Sequence, residues 1–271
     1  MHLMRYITKK EVKLAERKAT SHKGDNGSVL VIGGSRDYVG CLALAGLSAL
    51  RSGVDWVTVA APEKVGWAVN ALTADLVVKK YRGDDFCAAR AKDILKLEKQ
   101  FDAVLIGNGI GMHAKSFVKR YIKETKKPLV IDADALKAAR LQDISNSILT
   151  PHRGELKLLL KNSKIKEKDL QRNLKNNVII IKGPIDKIMS RDKLVYNKTG
   201  NAGMTKGGTG DVLAGLCVGF LGQGLGLWQS AVNSAYFNGL VGDILLKKKK
   251  GFTYLASDMV DEIKNIIKKR G

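Results

Sequence analysis

The chain has 271 residues, 45% of them hydrophobic and 27% charged, a composition that excludes disordered, collagen-like and disulfide-scaffold proteins. Lys and Arg number 47 against 26 Asp and Glu, which gives a formal net charge of +21. Such an excess favours polyanionic partners, namely nucleic acid, anionic membranes or phosphorylated small molecules, unless the lysines serve only to solubilise the surface. Aromatic residues make up only 6% and do not interleave with the basic runs, so we expect no nucleic-acid partner.

Cysteine usage and the N-terminal residues predict a cytoplasmic location. Cys41, Cys87 and Cys217 are widely spaced and form neither a disulfide pattern nor a zinc-binding pattern. Residues 1–10 lack the apolar region of a signal peptide. Residues 212–242 carry no charge and are long enough to span a membrane, but polar side chains and a glycine cluster interrupt them. We therefore predict two buried helices joined by a turn there, and no membrane partner.

The predicted elements alternate between strands and helices. The chain begins with a charged helix over 9–19, capped by Thr8. Continuous apolar runs predict short buried strands at 28–33, 54–60, 76–78, 103–106, 129–131, 147–149 and 178–181. Helices are predicted at 40–51, 86–99, 114–124, 135–140, 154–160 and 168–176. A β-hairpin over 185–189 and 193–196 follows, and then helices at 211–221, 228–246 and 258–269, the last capped by Ser257 or Asp258.

This alternation predicts one α/β domain over residues 1–271. Its architecture would be three-layered, with a mostly parallel sheet and helices on both faces. No composition shift, linker or repeat divides the chain. In such sheets ligands bind beyond the carboxyl ends of the strands, and the polar motifs of this sequence follow predicted strands. We therefore expect the functional site at that edge of the sheet.

The most informative motif is Asn-Ala-Gly-Met-Thr-Lys-Gly-Gly-Thr-Gly-Asp at residues 201–211, which runs directly into an apolar helix. Gly207, Gly208 and Gly210 leave backbone N–H groups open to phosphate oxygens. The helix that follows adds its own unpaired N–H groups and the positive end of its dipole. Asp211 stands at the helix start, where it either caps the helix or acts as a base toward an incoming hydroxyl group. The pattern alone leaves both interpretations open.

Two further candidates follow predicted strands. His152 lies in Thr-Pro-His-Arg-Gly-Glu at 150–155, beside a proline and a glycine. A lone histidine is often structural, but its place at a strand end makes a functional role equally plausible. Lys182 comes directly after the buried strand 178–181. This place favours a side chain that faces a site at the edge of the sheet. The alternative interpretation is that Lys182 only reaches solvent.

The strands at 103–106 and 129–131 are also followed by candidate motifs. Asp132 and Asp134 could hold Mg²⁺ through water or cap the next helix, and their spacing favours the cap. The run Gly-Asn-Gly-Ile-Gly at 107–111 would let a ligand approach the backbone. Taken singly, this glycine motif is a weak signal.

An ordered set of motifs covers nearly the whole chain. It comprises Lys-Gly-Asp-Asn-Gly at 23–27, Val-Ile-Gly-Gly-Ser at 31–35 with Tyr-Val-Gly at 38–40, Gly-Asn-Gly-Ile-Gly at 107–111, Ile-Asp-Ala-Asp-Ala-Leu at 131–136, Thr-Pro-His-Arg-Gly-Glu at 150–155, Ile-Lys-Gly-Pro at 181–184, and Thr-Gly-Asn with Gly-Gly-Thr-Gly-Asp at 199–211. Together these motifs resemble the ADP/ATP-dependent NAD(P)H-hydrate dehydratase family. The resemblance implies a ribokinase-like fold, an ADP or ATP cosubstrate with Mg²⁺, and repair of hydrated NADH or NADPH.

The resemblance also implies roles for individual residues. Near the hydrated cofactor it places Gly40, Cys41, Gly109, Gly111, His152 and Asp211. For the nucleotide it indicates Lys182, Gly183, Pro184, Ile185, Asp186, Asn201, Gly207, Gly208, Thr209 and Gly210. Asp211 would be the catalytic residue, because it would take the proton of the ring hydroxyl while the glycine loop stabilises the transferring phosphoryl group. Expulsion of the resulting phosphate would then restore the dihydropyridine.

The chain departs from the family at several positions. Cys41 stands near a usual alanine and could alter substrate packing, whereas Asn108, Arg153 and Ala202 replace usual prolines and should affect loop stiffness more than chemistry. Many members carry an N-terminal epimerase domain; about 26 residues precede the first predicted strand here. We therefore expect action on one epimer together with a separate epimerase, and, by analogy, a homo-oligomer.

Two other functions remain as alternatives. A small-molecule kinase of the same fold, acting on a vitamin-precursor alcohol, would carry a similar glycine loop through Asp211. The motifs at 107–111 and 150–155 favour the dehydratase. A basic nucleic-acid-binding protein would show affinity that falls steeply with salt, but the sequence contains no nucleic-acid-binding motif.

Overall fold

A computed structural model describes residues 4–267 of the chain. Within them, nine strands form one sheet: β1 (Ser28–Ile32), β2 (Trp56–Pro62), β3 (Val77–Tyr81), β4 (Ala103–Ile106), β5 (Leu129–Ile131), β6 (Ser147–Leu149), β7 (Val178–Ile181), β8 (Asp186–Met189) and β9 (Leu194–Asn197). Their order across the sheet is β3-β2-β1-β4-β5-β6-β7-β8-β9. Strands β1 to β7 run parallel, and the hairpin of β8 and β9 continues the sheet antiparallel. The predicted mostly parallel sheet and the hairpin are confirmed.

Helices cover both faces of this sheet. They are α1 (Gly40–Ser52), α2 (Glu63–Leu72), α3 (Ala91–Leu97), α4 (Lys115–Glu124), α5 (Ala133–Ala138), α6 (Arg153–Ser163), α7 (Leu170–Asn173), α8 (Thr209–Gly222), α9 (Leu227–Lys248) and α10 (Ala256–Ile266). Helices α3 to α7 pack on one face, and α1, α2, α8 and α9 on the other. Helix α10 packs outside α8 and α9.

The central strands show why both faces must be covered. Along β1, Leu30 and Ile32 enter one core while Val29 and Val31 enter the other, and all four side chains are fully buried. Successive side chains of a strand point to opposite faces, so a run without polar residues requires apolar partners on both sides. Burying each such side chain contributes about 1.5–3 kcal/mol. The continuous apolar runs of the sequence therefore encode the three layers.

Helix α8 is held unusually close to α1. A Cβ on Gly215 would lie 2.2 Å from the carbonyl oxygen of Ala45, and one on Gly219 would lie 2.1 Å from Oγ of Ser52. Both distances are shorter than real contacts, so only glycine permits this approach. The packing fixes where α8 begins, and with it the position of Asp211 in its first turn.

The uncharged stretch 212–242 forms the turn between α8 and α9 and most of both helices, as predicted. Twelve residues of each helix are buried, including the polar Asn233 and Asn238. In residues 4–267, no helix is long and apolar enough to cross a membrane.

The N-terminal prediction is wrong in extent. Thr8 does cap a helical turn, in a reciprocal capping box with Glu11, but that turn is a 3₁₀ helix covering only Lys9–Glu11. Beyond it, the backbone of Lys13 pairs with the side chain of Asn233 on α9 in both directions, at 3.2 and 2.6 Å. Tertiary hydrogen bonds therefore replace the helical ones that we expected over 9–19.

Other differences concern the edges of elements. Helix α2 was not predicted, and β3 is a partly exposed edge strand rather than a buried one. The helix expected at 86–99 contains α3 flanked by 3₁₀ turns, and α7 is much shorter than 168–176. Helix α10 begins at Ala256, after Leu255, whose N–H donates to Asp258, so neither Ser257 nor Asp258 is its cap. Its predicted end at 269 lies outside the described residues.

Candidate active site

The polar motifs meet at the edge formed by the carboxyl ends of the parallel strands, as expected. Backbone hydrogen bonds continue beyond the strands there: Gly34 N donates to the Asn108 carbonyl at 2.9 Å, and Lys182 N donates to the Pro151 carbonyl at 2.9 Å. The bridge between His152 and Lys182 joins the ends of β6 and β7 in the same way. The first turn of α8 lies against this edge, since a Cβ on Gly210 would come within 3.3 Å of Nζ of Lys182.

Asp211 is bonded to a residue that precedes it by about 100 positions. Nδ2 of Asn108 donates to Oδ1 of Asp211 at 2.6 Å and to Oδ2 of Asp132 at 3.0 Å. The residue that caps α8 is Gly208, and Asp211 lies in the first turn rather than at the cap position. Of the two interpretations left open by the sequence, capping is therefore wrong.

Asp132 organises the centre of the site. Its Oδ1 accepts hydrogen bonds from Thr150 Oγ1 at 2.8 Å and from Lys182 Nζ at 3.1 Å. Its side chain is only 3% exposed, so this pairing with Lys182 is needed to offset the loss of hydration. Asp132 does stand at the N-cap position of α5, as predicted, but its side chain makes no capping hydrogen bond there. Asp134 instead accepts from Gly111 N at 3.0 Å and pairs with Lys137 at 2.7 Å.

The loop after β4 reaches Asp132 because of one glycine. Gly107 has φ +125°, and a Cβ there would lie 2.0 Å from the carbonyl oxygen of Asp132. A side chain at this position would push the loop away from β5. The departure at Asn108 therefore does more than change loop stiffness, contrary to our expectation, because its amide group lies between two carboxylates.

The electrostatic surroundings of Asp211 suit a general base. The pKa of its carboxyl group is raised from 3.8 to about 7, first because burial removes the carboxylate from water. The hydrogen bond from Asn108 and the charge of Lys182 lower this pKa, whereas the charges of Asp132 and Glu155 raise it. A base whose pKa lies near neutral pH can both accept and release a proton under ordinary conditions.

Lys182 remains a cation despite its surroundings. Burial acts to lower the pKa of its ammonium group, but the carboxylates of Asp132 and Glu155 outweigh that effect and raise it. Nζ of Lys182 lies 3.9 Å from Glu155 and next to the backbone of Gly210. A fixed positive charge therefore stands beside the glycine loop, as a phosphate-binding role requires.

The glycine loop presents backbone rather than side chains. Gly208 has φ +92°, and nothing lies within 4 Å of a Cβ placed on Gly207. The hydroxyl of Thr209 is turned inward and donates to the carbonyls of Met204 and Lys206, at 2.7 and 3.0 Å. Thr209 can thus offer its N–H, with the other unpaired N–H groups of the first turn of α8, but its side chain is already engaged.

The predicted cofactor-side residues of α1 and β4 lie together. A Cβ on Gly109 would meet Sγ of Cys41 at 2.6 Å, and Gly40 begins α1 with open space beside it. Burial, and then the charge of Asp211, raise the pKa of the Cys41 thiol to about 12. Cys41 is therefore a neutral packing group close to Asp211, and its influence on substrate packing stays a prediction. Gly111, with φ +76°, continues the same loop.

His152 has a structural role, which is one of the two interpretations that the sequence left open. Its Nδ1 accepts from Gly154 N at 2.9 Å and caps α6, and His152 N donates to Oε2 of Glu155 at 2.9 Å. The imidazole is nevertheless 58% exposed, so its remaining surface is open to a ligand. Capping and ligand binding are compatible here.

The segment after β7 forms a tight exposed loop. Asp186 Oδ1 accepts from Gly183 N at 3.1 Å, and Gly183, Pro184 and Ile185 are exposed. This loop borders a cavity of about 340 Å³, together with Arg153, Glu167 and Tyr196 among others. The segment predicted to bind nucleotide is therefore preorganised and accessible.

Asn201 is the predicted site residue whose side chain is most occupied by the fold. Its Nδ2 donates to Asp243 at 3.1 Å, and its Oδ1 accepts from Gly203 N and from the Tyr254 hydroxyl, at 3.0 and 2.7 Å. These bonds tie the start of the glycine loop to α9. Ala202, the last of the departures, is exposed in the following 3₁₀ turn.

Sequence reasoning missed several residues that surround Asp211, Asp132 and Lys182. Asn108, Thr150 and Glu155 all belong to quoted motifs, yet none was proposed as a site residue. Their shared signal is a polar residue within a few positions of a buried strand's carboxyl end. That signal locates the edge of the sheet but does not show which of its residues touch.

Comparison with known proteins settles the family. The family described as NAD(P)H-hydrate dehydratase matches residues 29–265. The chain belongs to the NAD(P)H-hydrate dehydratase family. This confirms the resemblance seen in the sequence.

Named relatives are of two kinds. The bifunctional NAD(P)H-hydrate repair enzyme Nnr of Methanothermobacter thermautotrophicus is 38% identical over 94% of this chain but only 52% of its own length. The chain thus spans about half the length of the first curated relatives that it matches. The ADP-dependent (S)-NAD(P)H-hydrate dehydratase of Cenarchaeum symbiosum is 31% identical over 93% of this chain and 92% of its own.

Solved structures confirm the ribokinase-like fold. A ribokinase-like superfamily protein from Enterococcus faecalis aligns with a TM-score of 0.83 and 25% identity over 98% of this chain and 95% of its own. An ADP/ATP-dependent NAD(P)H-hydrate dehydratase from Bacillus subtilis, co-crystallised with ATP and Mg²⁺, aligns with a TM-score of 0.80 and 27% identity over 98% and 99%.

Proposed function

We propose that this protein uses ADP or ATP to dehydrate hydrated NADH or NADPH. The observation that carries the proposal is the arrangement at the start of α8. There a carboxylate with a pKa near 7, Asp211, lies in the helical turn that follows a glycine loop, and Lys182 stands beside that loop. Membership of the dehydratase family, with stand-alone relatives matched over nearly their full length, supports the same activity.

The chemistry requires a better leaving group than hydroxide. The ring hydroxyl of the hydrate attacks the terminal phosphoryl group of the nucleotide, the bond to the leaving nucleotide breaks, and Asp211 accepts the hydroxyl proton. The ring nitrogen then expels phosphate. Loss of a proton from the neighbouring carbon restores the dihydropyridine, and hydrated cofactor and nucleotide have become cofactor, shortened nucleotide and phosphate.

The other residues position charge for this transfer. The N–H groups of Gly208, Thr209 and Gly210, with the cation of Lys182, would stabilise the transferring phosphoryl group. Gly183, Pro184, Ile185 and Asp186 would border the rest of the nucleotide, with Asn201 and Gly207 shaping the loop. Gly40, Cys41, Gly109, Gly111 and His152 would face the hydrated cofactor. Catalysis would rest on position and neutralisation of charge rather than on covalent chemistry with the protein.

Mg²⁺ belongs to the proposal only as a companion of the nucleotide. Residues 4–267 contain no group of three or more Asp, Glu, His or Cys side chains that could hold a metal ion. Mg²⁺ usually binds through substrate phosphates and water with one or two carboxylates, so an ion that enters with the nucleotide needs no such cluster. The described residues thus form no resident metal site, and the ion would act through the phosphates of the nucleotide.

The test is a coupled assay with purified hydrated NADH. We expect recovery of the absorbance of the dihydropyridine only when ADP or ATP is present, with release of one phosphate per cofactor restored. A panel of nucleotides and both hydrates would define the preferences. Phosphate release without cofactor recovery would contradict the proposal.

The vitamin-precursor kinase gains no specific support. A hydroxyethylthiazole kinase from Pyrococcus horikoshii aligns with a TM-score of 0.60 at 14% identity, which shows the shared fold alone. The same assay separates the two functions, because a kinase would leave a stable phosphorylated alcohol and restore no cofactor.

We further propose that the protein acts in the cytoplasm, on one epimer, beside a separate epimerase. The bifunctional names of longer relatives support coupling to a second repair activity. A homo-oligomer is supported by exposed apolar side chains around the edge strand β3, namely Trp67, Leu72 and Val77, at 62%, 59% and 53% exposure. Light scattering of the purified protein would test the oligomeric state.

A further inference from the structure

The amide of Asn108 is the feature of the site that the proposed chemistry does not yet use. The residue is fully buried. Nδ2 donates to Asp211 at 2.6 Å and to Asp132 at 3.0 Å. The opposite amide orientation would turn an oxygen toward two carboxylates, so the chemistry of the neighbours fixes which atom faces them. Within the described chain, Oδ1 has no hydrogen-bond partner, so the side chain is held by its contacts with the carboxylates.

We propose that Asn108 is a positioning residue that keeps the Asp211 carboxylate ionised and in one orientation, ready to accept a proton from the substrate hydroxyl. This inference rests on the proposed function and assigns to Asn108 a part of it. Asn108 itself touches Asp211 rather than the reacting atoms. A hydrogen bond to an ionised acceptor is shorter and stronger than one between neutral groups, and the 2.6 Å bond to Asp211 agrees with that.

The charges around Asp211 explain why such a donor is needed. Asp132 at the end of β5 and Glu155 on α6 oppose its ionisation, and the Cys41 thiol on α1 is neutral. Lys182 at the end of β7 favours ionisation, but its Nζ is bonded to Asp132, at 3.1 Å. Asn108 favours ionisation through direct contact and separates Asp211 from Asp132. Without it, burial and the two carboxylates would push the pKa of Asp211 further up.

The decisive variant is Asn108→Leu, which keeps the branched shape of the side chain and removes both hydrogen bonds. Losing a hydrogen bond to an ionised group corresponds to a shift of roughly one to two pH units in the titration of the acceptor. We expect the acid limb of the profile of kcat/KM against pH to move upward by that amount, with activity near the parent's at the alkaline end. A purely structural role would lower activity by the same factor at every pH. Asn108→Ala serves the same purpose if the leucine variant does not fold.

A matched control is available at the opposite edge of the sheet. Asn177 is 1% exposed and makes two hydrogen bonds of its own, to Ser147 N and to the carbonyl of Ile144, both at 3.0 Å. Asn177→Ala should destabilise the fold without moving the pH profile. The comparison therefore separates the effect of a lost buried amide from the effect of this particular amide.

A second readout does not depend on activity. With ¹³C-labelled aspartate carboxyls, the signal of Asp211 can be identified by its loss in Asp211→Asn, and its titration followed in the free protein. We expect the midpoint to rise in Asn108→Leu and to stay unchanged in Asn177→Ala. An unchanged midpoint in Asn108→Leu, or a pH profile lowered evenly at all pH values, overturns the inference. If Asp211→Asn retains turnover, Asp211 is not the base and the inference fails with that assignment, whereas the proposed function fails only if the parent protein restores no cofactor from hydrated NADH.

Discussion

Replacing Asp211 by asparagine tests the base directly. Asn keeps the size of the side chain and its hydrogen bond with Asn108 but cannot accept the hydroxyl proton. We expect turnover to fall on the order of 10²–10⁴-fold, which is the usual contribution of a positioned general base. Nucleotide affinity should hold or increase, because one negative charge beside the phosphate site is removed.

The same variant should also change stability, in a direction set by the pKa. The folded protein holds the Asp211 proton more tightly than the unfolded chain does, because the pKa rises from 3.8 to about 7 on folding. The contribution of Asp211 to the free energy of unfolding is then highest in acid, and it falls as the pH increases from about 4 to about 7. A pKa shift of this size lowers the free energy of unfolding by at most about 4 kcal/mol above pH 7. Asp211→Asn should therefore be more stable than the parent at pH 8, and the difference should be smaller at pH 5.

Two measurements decide these points. Coupled turnover at saturating nucleotide gives the loss in rate, and urea unfolding of both proteins at pH 5 and pH 8 gives the stability difference. Turnover within a few-fold of the parent would end the catalytic assignment. If the difference in unfolding free energy between the two proteins is the same at pH 5 and at pH 8, the argument that burial raises the pKa of Asp211 is refuted.

Three further substitutions probe the surrounding residues. Gly210→Val should abolish nucleotide binding measured by calorimetry while the circular dichroism spectrum remains native, whereas Gly208→Val should also unfold the chain because Gly208 has φ +92°. Normal nucleotide affinity in a folded Gly210→Val protein would refute phosphate binding by the glycine loop. His152→Ala should weaken hydrated-cofactor binding more than nucleotide binding and lower stability by about 1 kcal/mol through loss of the α6 cap; unchanged cofactor affinity removes the substrate role. Lys182→Met leaves the buried Asp132 without its ion-pair partner, so it should lower stability by about 3 kcal/mol and raise the pKa of Asp211. An unaltered unfolding curve would contradict the ion pair.

Local sequence patterns predicted most of the sheet because the relevant interactions are local. The bounds of β4, β5, β6 and β7 agree with the apolar runs that predicted them. A parallel strand in a covered sheet needs apolar side chains on both faces, and that requirement is written in consecutive residues. The N-terminal segment failed for the opposite reason, since its backbone hydrogen bonds are made to α9, more than 200 residues away.

The candidate site also combines features that local sequence predicts with contacts between residues far apart in the chain. The glycine loop and the strand-end positions of His152 and Lys182 follow from residue type and place in the chain. The contacts of Asn108 with Asp211 and Asp132 span 103 and 24 residues, so no local pattern could reveal them. They depend on the strand order, which brings the loop after β4 against the end of β5 and the start of α8.

The charges of the site also explain why Asp211 should be near its titration point before ligands bind. Fully ionised, Asp132, Glu155 and Asp211 oppose a single ammonium group at Lys182, which would repel incoming phosphates. A pKa near 7 leaves Asp211 largely neutral in mildly acidic solution, so the free site is less negative than its composition suggests. The overall charge of +21 attracts polyanions from a distance, but it cannot remove this local repulsion. Burial of Asp211 therefore lowers the negative charge that an incoming nucleotide meets, while the ionised fraction that the hydrogen bond from Asn108 maintains can still accept the hydroxyl proton.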